Sequence, residues 1–98
     1  MHKYMFNDTQ CRDFTIYREE KKGYLLFAKV DVETLPIQTE YDSLNIKLFG
    51  KEDMLCGPDW MEIREWDLTK VKMLSIGQDE AAFTATFTYG EVVETLHM

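Results

Sequence analysis

The chain has 98 residues, of which 45% are hydrophobic, 30% charged and 13% aromatic. Those shares match folded globular domains and exclude intrinsic disorder, and the length has room for a single domain over residues 1–98. The net charge is −7, and no stretch approaches the ~18 apolar residues that a membrane-spanning helix needs.

The acidity is concentrated in one half. Residues 1–50 hold 8 acidic and 7 basic side chains, whereas residues 51–98 hold 10 acidic and 4 basic. No Lys or Arg follows Lys72. Such a half repels phosphate, so direct binding to nucleic acid or to an anionic membrane is disfavoured.

The first eight residues carry no apolar core of a signal peptide, so a cytoplasmic location is the expectation. In that compartment Cys11 and Cys56 are expected to be small buried hydrophobes rather than a disulfide.

Asp13 to Glu19 alternates, with Phe14, Ile16 and Arg18 on one side and Thr15, Tyr17 and Glu19 on the other, which predicts a strand. Glu20 to Gly23 is a polar break. Tyr24 to Val32 is rich in β-formers and apolar on both faces at its start, so the two segments predict a hairpin whose second strand is central.

Glu33 to Ser43 reads as loop, with Pro36 lacking a ladder donor and Asp42-Ser43 suited to a turn. Leu44, Ile46 and Leu48 then alternate with Asn45, Lys47 and Phe49, and Gly50 closes that strand. Lys51 to Trp60 is the least regular stretch and contains the turn Cys56-Gly57-Pro58-Asp59.

Residues 59–68 fit neither template well. Asp59 and Glu62 match the spacing of a capping box, which favours a short helix. Trp60, Trp66 and Leu68 share one face of a strand, which is the preferred reading.

Lys70 to Ile76 predicts a strand and Gly77 to Glu80 a turn. Ala81 to Tyr89 is the clearest strand, with Phe83, Ala85, Phe87 and Tyr89 facing one way and Thr84, Thr86 and Thr88 the other. Gly90 offers a bend, and Glu91 to His97 continues as a strand. The fold expected is mainly β: a small antiparallel barrel or sandwich of five to seven strands. The alternative is α+β with one short helix near 59–68.

The chemistry-bearing motifs are missing. Neither glycine-rich phosphate loop occurs. The serines, Ser43 and Ser75, stand in no nucleophile elbow. The histidines, His2 and His97, sit at chain ends that fray, which is a poor place to hold a catalytic geometry. Cys11 and Cys56 have no metal-ligand spacing. No cofactor, metal or enzymatic activity is expected.

One constellation stands out: Glu52, Asp53, Asp59, Trp60, Glu62, Glu65, Trp66 and Asp67. Tryptophan is enriched among interface hot spots, and flanking carboxylates steer association with a basic surface. The competing reading puts both tryptophans in the core, where Trp is mostly found.

The leading expectation is a small acidic binding protein that occludes a basic, nucleic-acid-binding surface of a protein partner. Stoichiometric inhibitors, immunity proteins and phage counter-defence proteins act in this general way. The alternatives are a small barrel holding an apolar ligand against Phe83, Phe87, Tyr89 and the methionines, and a structural subunit that self-associates through a strand edge.

Overall fold

Alternating apolar and polar positions build seven antiparallel strands, and the sheet closes on itself. The structure is a computed structural model that describes residues 1–7, 9–19, 25–33, 37–51, 59–78 and 82–97. The strands are β1 (His2–Phe6), β2 (Thr9–Glu19), β3 (Leu25–Val32), β4 (Glu40–Gly50), β5 (Met61–Gln78), β6 (Phe83–Thr88) and β7 (Glu91–Leu96). Hydrogen-bonded neighbours run β4–β1–β2–β3–β6–β5, and β5 pairs back onto β4. That closure makes a small barrel and removes most of the open sheet edges. β7 adds to β5 along the edge that β6 uses further up.

The mainly-β expectation therefore holds. The helix near 59–68 is not formed: Met61 to Leu68 is the first half of β5, and no helix occurs among the described residues. None is thus long and apolar enough to cross a membrane. β2 and β3 pair as the expected hairpin, from Asp13↔Asp31 to Glu19↔Leu25. β3 is central, with β6 on its other side. The expected break at Glu20 to Gly23 lies outside the described residues. So do Cys56, Gly57 and Pro58 of one expected turn and Asp79 and Glu80 of another. Gly77 and Gln78, expected in that second turn, instead extend β5. Asp42 and Ser43, expected in a turn, lie within β4.

The inner face is apolar. Leu44, Ile46, Leu68, Val30, Val32, Val71 and Phe87 are fully buried, with Phe6, Cys11, Ala28, Ala85, Trp66 and Tyr89 completing the core. Large residues sit opposite small ones where β3 meets β6, as in Ala28↔Phe87 and Val30↔Ala85. The Phe6 and Phe87 rings stack at 5.7 Å, and Phe14 meets the Trp66 ring edge-on at 4.5 Å. Both arrangements are favoured by the ring quadrupoles.

A fold line crosses three neighbouring strands. On β4, β5 and the β6–β7 run, two consecutive solvent-side residues separate two that face the core. The three four-residue stretches are Tyr41-Asp42-Ser43-Leu44, Leu68-Thr69-Lys70-Val71 and Tyr89-Gly90-Glu91-Val92. The register is continuous on both sides of the line, with Tyr41↔Val71 and Leu44↔Leu68 on one flank. On the other, Thr88↔Lys72 and Glu91↔Thr69 keep the same spacing.

A one-residue change of phase swaps the faces of a strand. Here all three strands change phase at the same level, so the core stays continuous while the sheet bends. On β5 the phase change coincides with a left-handed backbone at Lys70, with φ of 53°. Gly90 faces that residue, and its N–H donates to the Thr69 carbonyl at 2.8 Å.

Candidate functional site

Three residues of the expected constellation, Glu62, Glu65 and Asp67, lie on the outer face of β5, flanked by β4 and β7. Asp67 and Glu65 are two residues apart and point to the same side, as strand alternation requires. Glu62 is three residues from Glu65, which in a regular strand would send it to the opposite face. A bulge corrects this. Leu48 pairs with Arg64 and Phe49 with Glu62, so Ile63 is the extra residue. Gly50 makes room for it, since a Cβ there would overlap Ile63 Cδ1. The bulge brings Glu62 onto the face that carries Glu65 and Asp67.

β4 supplies the partners of this row. Asn45 lies opposite Asp67 and Lys47 opposite Glu65. The Asn45 side-chain amide donates to Glu65 Oε2 and to Asp67 Oδ1, both at 2.8 Å. Asn45 is itself held by Asn7. The Asn45 N–H donates to Asn7 Oδ1 at 3.0 Å, and the Asn7 N–H donates to the Asn45 carbonyl at 2.8 Å. Asn7 reaches this position from a left-handed backbone, φ 51°, which Asn tolerates better than most residues.

Lys47 Nζ lies 3.3 Å from Glu62 Oε1 and 3.8 Å from Glu65 Oε2. From the end of β7, His97 Nε2 lies 3.0 Å from Glu62 Oε2 and 3.9 Å from Glu65 Oε1. The row is thus a pinned and partly neutralised network, not a bare acidic patch.

The two tryptophans part company. Trp66 is 9% exposed and belongs to the core, so its ring has no open face for a partner. The indole is apolar enough that closing the barrel over it outweighs leaving it in water. Trp60 is half-buried, with Lys3 Nζ 4.3 Å and Lys51 Nζ 5.7 Å from its ring. Cations therefore sit against the tryptophan that the sequence surrounds with carboxylates. Asp59 is exposed. Glu52 and Asp53 lie outside the described residues.

Arg64, the one basic residue within the row, is drawn to the other side. Its Nε is 3.3 Å from Glu94 Oε1, and its guanidinium lies over Trp66 at 5.8 Å. Sequence reasoning missed Asn45, Lys47 and His97, because nothing in a single chain reveals which strands become neighbours. The alternation around Asn45 and Lys47 did place both on an outer face.

Of the residues named for an apolar ligand, Phe83 and Met73 pack against the core, Met1 and Met61 are exposed, and Phe87 and Tyr89 are core residues. Phe87 is fully buried and Tyr89 is 6% exposed, and the Tyr89 hydroxyl donates to the Tyr17 carbonyl at 3.2 Å. A cleft of about 590 Å³ lies beside the fold line, lined by Glu40, Asp42, Lys70 and Lys72 among others. Charged and polar residues make up most of its lining, with Tyr41 and Val71 beside them. Cys11 is 2% exposed. Burial, with Asp13 nearby, pushes its thiol up to about 12, so it stays protonated and inert at neutral pH.

No protein-family model, curated protein or solved structure matches the chain.

Proposed function

We propose that this protein is a small, acidic, non-enzymatic binding module that covers a basic surface of a protein partner. Asp59, Trp60, Glu62, Glu65 and Asp67 form its contact set. The observation that carries the reading is the Asn45 clamp: one amide holds Glu65 and Asp67 at fixed positions on a rigid strand. Carboxylates ordered before binding lose little entropy on contact, and that loss is what weakens most surface ion pairs. A cationic groove that recognises phosphate would meet a preset row of anions at strand spacing. The chain would then act by occlusion, as a stoichiometric inhibitor or immunity protein does. The same acidity argues against nucleic acid or an anionic membrane as the direct partner.

The test is capture from nuclease-treated host lysate, with chelator present, at low and high salt. One basic protein, retained in near-equal amount and released by salt, is the expected result. It should be lost when Glu62, Glu65 and Asp67 are all reversed to Lys. Retention unchanged by that triple variant, or no retained protein, overturns the reading.

A second reading, self-association, rests on a different observation. Among the described pairings β7 bonds only to β5, and it exposes Val93 and Leu96 at 60% and 57%. Open edges of this kind template pairing with a second chain. Sedimentation across a concentration series tests it, and a monomer throughout overturns it.

A further inference from the structure

The side chains of Glu62, Glu65 and His97 converge in a way that partner binding does not require. One donor atom from each lies within 4.8 Å of the other two. We propose that these three side chains form a binding site for a borderline divalent cation, with Zn²⁺ as the best fit. This inference does not rest on the partner-binding reading, although the two share the Glu62 and Glu65 carboxylates.

The argument rests on which oxygens face where. Each carboxylate is engaged on both of its oxygens, and the two sides differ. Glu62 Oε1 is taken by Lys47, and Glu65 Oε2 by Lys47 and the Asn45 amide. The opposite oxygens, Glu62 Oε2 and Glu65 Oε1, are the ones that face His97 Nε2, at 3.0 and 3.9 Å. Lys47 and Asn45 therefore stand behind the carboxylates and turn the remaining oxygens inward. Such outer contacts orient ligating carboxylates in metal sites.

The spacing fits the ion. Zinc binds His nitrogen and carboxylate oxygen at about 2.0–2.2 Å in tetrahedral geometry, which sets donors about 3.3–3.6 Å apart. The two distances to His97 Nε2, 3.0 and 3.9 Å, bracket that range; the two carboxylate oxygens lie within 4.8 Å of each other, and closing the site would draw them together. Three protein ligands would leave a fourth position for water.

A dication would meet two carboxylates and an imidazole nitrogen, in competition with Lys47, which pairs with the outer oxygens of both carboxylates. The metal would take the Nε2 lone pair of the imidazole, and any proton on Nε2 would leave to solvent or to Nδ1. An imidazole ligand selects Zn²⁺, Cu²⁺ or Ni²⁺ over Mg²⁺ and Ca²⁺, which prefer all-oxygen sets.

The backbone supports the site from two strands. The His97 N–H donates to the Ile63 carbonyl at 2.8 Å, so the bulge residue that turns Glu62 outward also anchors His97. Metal binding would tie the end of β7 to the start of β5.

The experiment is calorimetric titration of the chelator-stripped full chain with zinc chloride, without any partner. The expected result is one equivalent bound, with His97→Gln and Glu62→Gln each weakening affinity at least tenfold. Glu91→Gln, on β7 but away from the three ligands, should bind as the parent chain does. Excess Mg²⁺ should not compete. Zinc affinity unchanged by His97→Gln, several weak equivalents indifferent to every variant, or no binding at all would each overturn the proposal.

Discussion

Replacing Asn45 by alanine separates a working clamp from an incidental contact. The change removes two hydrogen bonds of 2.8 Å to carboxylate oxygens. It leaves the backbone bonds to Asn7 intact, because those use the main chain of residue 45. Hydrogen bonds to charged groups contribute about 1.5–3 kcal/mol when buried. Here one is part-buried and the other exposed, so solvent reduces the pair to about 1–2 kcal/mol in total.

Removing the amide also strips the shield between two like charges. Both oxygens contact one nitrogen at 2.8 Å, so they are at most about 5.6 Å apart (2.8 plus 2.8). Across that gap the repulsion is about 0.7 kcal/mol in water, and more at the lower effective dielectric of a protein surface. The total loss expected at low salt is about 2 kcal/mol. At 1 M salt the Debye length falls to about 3 Å, so the repulsive share should vanish and the loss shrink towards the hydrogen-bond share.

Urea unfolding followed by the fluorescence of Trp60 and Trp66 reads both numbers. A double-mutant cycle with Glu65→Gln should give a coupling of about 1 kcal/mol. A loss under about 0.3 kcal/mol, or no coupling to Glu65, would refute the clamp, since distant sites add within that error.

Other changes test the fold and the core. Phe87→Ala empties the centre of the barrel and should cost about 3–5 kcal/mol in the same urea assay. Lys70→Val places a β-branched residue at a positive φ and should cost about 1–2 kcal/mol. Lys70→Gly should be neutral or mildly stabilising in thermal unfolding.

The Cys11 thiol is held up to about 12, against 9.0 for an ordinary thiol. Its neutral form is favoured by the fold, so the stability it contributes is complete below pH 9. Above that the unfolded chain ionises first, and the contribution should fall by about 1.4 kcal/mol per pH unit until the folded thiol titrates. The difference between the pH–stability curves of the parent chain and Cys11→Ala isolates this slope, and a flat difference from pH 8 to 10 would contradict it. Thiol reagents at pH 8 should label Cys11 only after denaturant is added.

Local pieces whose periodicity is unbroken are legible in the chain alone. Leu44, Ile46 and Leu48 facing inward, Phe83 to Tyr89 as a strand with its aromatics in the core, and the β2–β3 hairpin all follow from alternation within a few residues. The acidity of the second half follows from counting. What escaped is what depends on a neighbour. β5 was obscured because its phase changes at the Ile63 bulge, again at Lys70, and once more between Met73 and Ser75. A strand of 18 residues therefore shows no single stripe, and its first half looks as much like helix as strand.

Trp60 and Trp66 are chemically alike, yet one meets Lys3 at the surface and the other is enclosed. Only closure of the barrel decides between them, because burial is a property of the packed sheet. The carboxylates of β5 could be counted in advance. Whether they stood free or were gripped by Asn45, Lys47 and His97 was decided by the register of β4 and β7 against β5, since those contacts link residues up to 35 positions apart in the chain.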